Sequence, residues 1–131
     1  MDFNEDALVY HRGLRRAGKI GTEILTSVKG KGDLALAYTP GVAVPCLEIA
    51  KDPSKIYEYT AKGNRVAIIS NGTAVLGLGN IGAKASKPVM EGKALLFKHF
   101  GGIDAVDVEI DSEDVDEIVR TVELISGTYG G

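Results

Sequence analysis

The chain has 131 residues, of which 44% are hydrophobic and 25% are charged, and its formal net charge is -3. These values are typical of a single globular domain, which excludes a disordered chain, and the acidic balance argues against a general nucleic-acid-binding protein. Cys46 is the one cysteine in the sequence, which excludes an intrachain disulfide and a zinc site built on cysteines.

The hydropathy of the chain predicts a cytosolic protein with no membrane partner. No stretch approaches the apolar length that spans a bilayer, and the acidic segment at 1–6 lacks the basic region of a signal peptide. A single cysteine is also typical of a protein from a reducing, intracellular compartment.

The first predicted element is a helix over residues 4–17 with Asn4 as its N-cap. A basic cluster lies on this helix and just after it. Its members are His11, Arg12, Arg15, Arg16 and Lys19. The cluster has no interleaved aromatic residues on which bases could stack, so we interpret it as a solvated helix face. A connection rich in glycine and lysine follows at 18–33.

A turn and a second helix are predicted between residues 34 and 53. The apolar run at 34–38 stops at the turn signal TPG at 39–41. The helix is expected to start near Val44, because Pro45 cannot lie in a helix interior, and to end near Asp52. Its shared apolar face comprises Val42, Cys46, Ile49 and Ala50.

A β-hairpin is predicted next. The β-branched run from Val66 to Ser70 is typical of a strand, Asn71-Gly72 is a strong hairpin signal, and residues 73–76 would return as the second strand. The glycine-rich loop GLGNIG follows at 77–82.

This loop matches the dinucleotide fingerprint GxGxxG, but its surroundings argue against a Rossmann site. The fingerprint needs a helix that opens directly from the loop, whereas Pro88 predicts a later helix start. The acidic residue expected at the end of the next strand is also misplaced, because Asp104 lies at the beginning of that strand. A Walker A motif fails because Ala94 follows Gly92-Lys93. We interpret the glycines as allowing a tight turn beside a ligand or beside Lys93, with phosphate or carboxylate contact left open.

A lysine interrupts an apolar helical stripe after this loop. Helical spacing places Lys93 on one face, and Lys98 on the opposite face. The other members of the stripe are Val89, Leu96, Phe97 and Phe100. Two interpretations are equally open from the spacing alone. Either the ammonium snorkels out to water, or the side chain is held towards the core, where desolvation favours the neutral amine that a general base requires.

The last predicted elements are a strand at 104–111 and a helix capped by Ser112. Val106, Val108 and Ile110 alternate with Asp107 and Glu109 as in a half-buried strand. Alternate carboxylates of this segment would therefore face solvent, and none is assigned to a metal; the carboxylates are those of Asp104, Asp107, Glu109 and Asp111. The acidic first turn of the final helix, Glu113 and Asp114, suits the helix dipole. Its predicted buried stripe comprises Val115, Ile118, Val119, Val122 and Ile125. Together the elements predict an α/β domain, a small mixed sheet flanked by helices.

Three motifs resemble the N-terminal domain of the malic enzymes, closest to the compact bacterial and archaeal type. They are AYTPGVA at 37–43, NGTAVLGLGNIG at 71–82 and KPVMEGK at 87–93, in the family's order and spacing. The resemblance runs from about Tyr10 to the end of the chain. It implies oxidative decarboxylation of malate to pyruvate and carbon dioxide with NAD or NADP and a divalent metal, Mg or Mn. It also implies a homodimer to whose interface this domain contributes.

By motif, Tyr38 corresponds to the family's tyrosine acid and Lys93 to its lysine base. Without the resemblance, Tyr38 would be interpreted as a packed aromatic residue before a turn. A neutral amine suits removal of the proton from the C2 hydroxyl of malate, and a phenol suits delivery of a proton to C3. The glycine loop corresponds to a stretch near the substrate site of the family, not to its main cofactor fingerprint. The loop residues carried over are Gly77, Gly79, Asn80 and Gly82.

The resemblance also implies that residues 1–131 are the substrate-side domain of a longer protein. The family's metal carboxylates and its NAD-binding Rossmann domain resemble nothing in this sequence and would follow Gly131. An α/β unit ordinarily delivers another strand after such a final helix. We therefore expect the isolated chain to be inactive, and Tyr38 and Lys93 could meet across subunits.

Two other functional classes stay open. One is a non-catalytic module that binds a dicarboxylate through Lys93, the glycine loop and the basic cluster. The other is a transferase that carries a malic-type N-terminal region.

Overall fold

A computed structural model describes residues 2–13 and 15–131, and these residues form two units. One unit joins Met1–Gly21 to Asn64–Gly131, and the other is Thr22–Gly63. In chain order the elements are α1 (Phe3–Arg12), α2 (Lys31–Ala37), α3 (Ala43–Lys51), α4 (Ile56–Tyr59), β1 (Arg65–Ser70), α5 (Gly82–Gly101), β2 (Asp104–Glu109) and α6 (Val115–Ile125). None of the helices in this described part is both long and apolar enough to cross a membrane.

The larger unit is built on a two-stranded parallel sheet of β1 and β2 that is joined by the crossover helix α5. Ile68 lies opposite Asp107, and Ser70 lies opposite Glu109. Residues in register share a face, so α5 packs on a sheet face that is apolar near the start of the strands and polar near their ends. The carboxyl ends of both strands and the loop after β1 therefore meet at one edge.

Small side chains bring α5 close to the sheet. Ala94 and Ser86 are 0% exposed, and Met90 packs with Ile68 and Ala105 in the core. Close approach of the helix excludes bulkier side chains from this face, since protein interiors tolerate little added volume.

The smaller unit, Thr22–Gly63, is helical, and all of its residues are half-buried or exposed. A tight turn joins α2 to α3. In this turn Gly41 N–H donates to the Ala35 carbonyl at 2.8 Å, and Val42 N–H donates to the Tyr38 carbonyl at 2.7 Å.

The α/β class with a small sheet flanked by helices is confirmed. Three predicted elements have ends within two residues of the observed ones. They are the strands at 66–70 and 104–111, which correspond to β1 and β2, and the helix from Val44, which corresponds to α3. The two strands in the described residues are parallel, and the predicted return strand at 73–76 is wrong. Asn71 Oδ1 instead accepts from Thr73 N–H at 3.3 Å and from Thr73 Oγ1 at 2.8 Å. This side-chain turn redirects the chain into the loop without an antiparallel partner.

The ends of three helices differ from the prediction. α1 ends at Arg12 because Gly13 adopts a φ of 65°, and Leu14, within the predicted helix, lies outside the described residues. The N-cap of α1 is Asp2, not Asn4. The N-cap of α6 is Asp114, not Ser112, since its side chain accepts from two amides of the first turn. α5 begins at Gly82, so Pro88 lies inside it.

Two other predictions for side-chain burial are partly wrong. The Lys19 side chain is only 9% exposed, with Nζ 2.9 Å from His11 Nδ1 and 4.0 Å from Glu91 Oε2, so the basic cluster is not wholly a solvated face. In α6 the predicted stripe is half-buried at Ile118, Val122 and Ile125, while Val115 and Val119 are exposed.

Candidate functional site

Lys93 lies on an exposed side of α5, so the core-facing position considered for it is wrong in this chain. The rest of its stripe is exposed as well. The buried residues of α5 are Ala83, Ser86, Met90 and Ala94. At about 100° per residue this buried face is rotated by roughly 80° from the Lys93 stripe. Within residues 2–13 and 15–131, the Lys93 side chain makes no hydrogen bond or ion pair, which leaves its amino group available to a ligand.

Tyr38 lies at the C-terminus of α2, in the smaller unit. Its N–H donates to the Leu34 carbonyl at 3.0 Å, and its carbonyl accepts from Val42 N–H at 2.7 Å. Tyr38 is 73% exposed, so the interpretation as a packed aromatic residue is wrong for this chain. These two hydrogen bonds fix the backbone that carries the phenol, and the hydroxyl group stays accessible.

The glycine loop is closed at its base by one carbonyl group. Gly72 O accepts from Ile81 N–H at 3.0 Å and from Gly82 N–H at 3.2 Å. Farther out, Val75 and Gly79 exchange two backbone hydrogen bonds, at 2.9 Å and 2.8 Å. The loop is therefore a small hydrogen-bonded structure between β1 and α5.

The base of this loop leaves no room for a side chain at position 72, and we expect Gly72→Ala to destabilise the protein strongly. Gly72 has a φ of 72°, and a Cβ built there lies 2.1 Å from the backbone oxygen of Gly82. The left-handed conformation and the backbone clash together should cost about 2–4 kcal/mol in the free energy of unfolding, measured by urea denaturation.

Gly77→Ala is the matched control for this prediction. Gly77 has a φ of 79°, but a Cβ built there meets nothing within 4 Å. This variant should therefore lose only about 1–2 kcal/mol, the cost of the left-handed conformation. Equal losses in the two variants would show that the close approach of Gly72 to Gly82 is unimportant.

The start of α5 differs from the helix start that was used to argue against a Rossmann site. α5 opens directly at Gly82, so the objection based on Pro88 is wrong. A phosphate at a helix N-terminus needs free N–H groups, whereas the amides of Ile81 and Gly82 already donate to the Gly72 carbonyl. At the end of β2, Glu109 is engaged by Lys87 at 3.2 Å.

An ion cluster of Lys87, Asp107 and Glu109, here named the Lys87 cluster, lies between α5 and β2. Lys87 Nζ pairs with Asp107 Oδ2 and with Glu109 Oε2. The side chains of Asp107 and Glu109 are only 6% and 12% exposed, so their predicted solvent-facing orientation is wrong. Alternation predicts which residues share a face of the strand. The face that carries Asp107 and Glu109 can pack against α5 because Lys87 compensates their charges.

The two carboxyl groups of the Lys87 cluster differ in acidity. Burial raises the pKa of Glu109, and its hydrogen bond with Asp107 raises it further. Burial also opposes ionisation of Asp107, but hydrogen bonds from Lys87 and Glu109 outweigh it and lower the pKa of Asp107. Glu109 Oε1 is buried and has no hydrogen-bond partner among the described residues, which adds to the cost of ionising this carboxyl group.

We expect Glu109→Gln to stabilise the protein more at about pH 8 than near pH 4.5, the ordinary pKa of glutamate. A carboxyl with a raised pKa contributes stability below its unfolded-state pKa and loses it as the pH rises through the folded-state value. Glutamine stays neutral at both pH values and keeps a donor for Asp107. The difference in Tm between variant and wild type, measured at both pH values, checks this.

Asp111→Asn is the control, because Asp111 is exposed. It should show no comparable pH-dependent gain in Tm. A gain for Glu109→Gln that is equal at the two pH values, or larger at the acidic one, would contradict the assignment.

Two side-chain hydrogen bonds tie the loop region to the connection between β2 and α6. Asn71 Nδ2 donates to the Ser112 carbonyl at 3.1 Å, and Asn80 Nδ2 donates to Glu113 Oε1 at 2.9 Å. The sequence placed Asn80 in the loop but did not indicate Glu113, which lies 33 residues farther along the chain. No periodic pattern connects the two positions, and Glu113 had been explained as an acidic residue at a helix start.

No group of three His, Cys, Asp or Glu side chains in the described residues is arranged to hold a metal ion. Carboxylates of the Lys87 cluster are compensated by the lysine, which is unlike the donor set of a hard divalent cation.

Residues 17–128 match the family described as malic enzyme, N-terminal domain. The chain is 60% identical over 114 residues to an NADP-dependent malic enzyme of Escherichia coli, covering 87% of this chain and 15% of that protein. It is 52% identical over 130 residues to an NAD-dependent malic enzyme of Rhizobium meliloti, covering 99% of this chain and 17% of that protein.

The fold has a close counterpart among solved structures. The crystal structure of a malic enzyme from Pyrococcus horikoshii superposes with a TM-score of 0.96 at 50% sequence identity, covering 99% of this chain and 30% of that one. The chain therefore spans less than a third of the length of these relatives.

Proposed function

Because the chain belongs to the malic enzyme family through its N-terminal domain, we propose that the complete protein catalyses the oxidative decarboxylation of malate to pyruvate and carbon dioxide. The names of the relatives, NADP-dependent and NAD-dependent malic enzymes, support this reaction and a nicotinamide cofactor. The observation that carries the proposal is that Tyr38 and Lys93 both lie within the matched residues and are exposed.

We assign Lys93 as the general base of this reaction and Tyr38 as the general acid. In its neutral form Lys93 accepts the proton of the C2 hydroxyl while C2 is oxidised. Tyr38 donates its phenolic proton to C3 after carbon dioxide has left. Support for these roles comes from the residue types and from the accessibility of both groups.

The glycine loop is assigned to the substrate side of the site. Gly77 and Gly79 adopt positive φ values, which lets the backbone approach a ligand without side-chain interference. Asn80 and Gly82 complete the residues of the loop that we place near the substrate or cofactor.

Neither the divalent metal nor the dinucleotide is assigned to this chain. No group of three metal-ligating side chains is present among the described residues, and two amides at the start of α5 already donate to the Gly72 carbonyl. Residues 1–131, as the substrate-side domain, would carry out the proton transfers and contact malate. The proposal gives cofactor binding to other parts of the complete protein, which we expect to be a homodimer.

The test is malate-dependent reduction of NAD and of NADP by the complete gene product with Mn²⁺, followed by the absorbance of the reduced nicotinamide. Saturable activity with either cofactor is the expected result. Calorimetric binding of malate without turnover under any of these conditions would instead support the non-catalytic dicarboxylate-binding module.

A further inference from the structure

We propose that Glu113 is a positioning residue, which holds the glycine loop in its working conformation through Asn80. The inference rests on the proposed function, because that function places the loop on the substrate side. The contact joins the amide Nδ2 of Asn80 to the carboxylate Oε1 of Glu113 at 2.9 Å. A hydrogen bond to an ionised acceptor is stronger than one between neutral groups.

Asn80 is the one polar side chain between residues 74 and 82. The glycines and apolar residues around it offer no other side-chain donor or acceptor to the rest of the protein. The loop is fixed at its base by Gly72 and braced internally by the bridge between Val75 and Gly79. The contact of Asn80 therefore adds a fixed point on the α5 side of that bridge.

Glu113 is itself held firmly enough to serve as an anchor. Before it, Ile110 N–H donates to the Ser70 carbonyl at 2.9 Å, which continues the pairing of the two strands. After it, Asp114 caps α6, and Asp114 N–H donates to Ser112 Oγ at 3.0 Å. The backbone at position 113 is thus confined between a strand and a helix cap.

A second contact supports the same connection. Asn71, at the end of β1, donates its amide to the Ser112 carbonyl at 3.1 Å. The segment that carries Glu113 therefore contacts the chain at two points, at Asn71 before the loop and at Asn80 within it. This arrangement couples the position of the loop to the start of α6.

The test removes the acceptor of Asn80 in the complete protein and leaves Asn80 itself unchanged. Glu113→Ala deletes the carboxylate that accepts from Asn80 Nδ2, and we expect it to raise the KM for malate roughly fivefold to tenfold while changing kcat less than about twofold. Glu113→Gln keeps a side-chain oxygen acceptor at the same chain length, and KM should stay within about twofold of wild type.

Asp116→Ala is the matched control. It removes another exposed carboxylate from the start of α6 but leaves the contact between Asn80 and Glu113 intact, so KM should be unchanged. A wild-type KM in Glu113→Ala would overturn the proposal, as would a KM that is equally raised in Glu113→Ala and in Asp116→Ala.

Hydrogen exchange provides a readout that does not depend on turnover. The amides of Val75 and Gly79 should exchange faster in Glu113→Ala and at about the wild-type rate in Glu113→Gln. Unchanged exchange in Glu113→Ala would overturn the positioning role even if the wild type were inactive. A wild type that shows no malate oxidation with either cofactor would overturn the proposed function alone.

Discussion

Replacing Lys93 by alanine in the complete protein is expected to lower kcat/KM for malate by about 10² to 10⁴, the usual contribution of a positioned general base. The loss should not come from unfolding, because the Lys93 side chain is exposed and forms no hydrogen bond or ion pair within the described ranges. Tm should therefore stay near the wild-type value. Malate-dependent reduction of the nicotinamide, measured beside thermal unfolding, checks both expectations.

Lys84→Ala and Lys93→Arg are the controls for this prediction. Lys84 is another exposed lysine of α5, and its replacement should leave activity unchanged. Arginine keeps the positive charge but cannot act as a neutral base. Lys93→Arg should therefore be as inactive as Lys93→Ala. Activity retained in Lys93→Arg would contradict the role as a base and support recognition of a carboxylate by charge.

Replacing Tyr38 by phenylalanine is expected to lower kcat by about 10² or more, because the variant keeps the ring and loses only the proton donor. The fold should tolerate the change, since the side chain is exposed. The decisive measurement is decarboxylation of added oxaloacetate, which needs a proton at C3 but does not need removal of the hydroxyl proton. Tyr38→Phe should lose this activity, and Lys93→Ala should retain more of it.

Tyr57→Phe is the matched control in the same unit. Tyr57 is also an exposed tyrosine, with Lys62 Nζ 5.5 Å from its ring centroid. Its replacement should leave both activities unchanged. Decarboxylation of oxaloacetate at the wild-type rate by Tyr38→Phe would exclude Tyr38 as the acid.

Local patterns predicted several elements but not their partners. β-branched residues and alternation were sufficient to predict β1 and β2, and the positions of the prolines were sufficient to predict α3. The hairpin was predicted because Asn71-Gly72 is a strong turn signal. Whether a turn leads to an antiparallel partner depends on competing contacts, and here β2 reaches β1 through α5 over a long separation in sequence.

Pro88 also misled the prediction of α5. A proline removes one backbone donor and crowds the preceding turn. Burial of Ser86 and Met90 on either side of it offsets that cost in this helix. This compensation comes from packing on the sheet, which the local sequence does not reveal.

The candidate site was predictable where motifs fixed the residues. Tyr38, Lys93 and the glycine loop came from their motifs, and their roles stay predictions. Burial was less predictable, because the spacing that groups Lys93 with apolar residues does not determine which face of α5 meets the sheet. The contact of Glu113 with Asn80 was not predictable, because a helix and a strand, α5 and β2, lie between the two residues in the sequence.

The shared acceptor at the base of the loop also bears on how tightly a ligand can bind. Fixing the backbone of one residue costs about 1–2 kcal/mol of conformational entropy, and glycine loses the most. Because Gly72 already holds Ile81 and Gly82, much of this cost is met when the protein folds. A ligand that contacts the loop therefore binds a preorganised surface, and loosening the loop would weaken affinity through a less favourable entropy of binding.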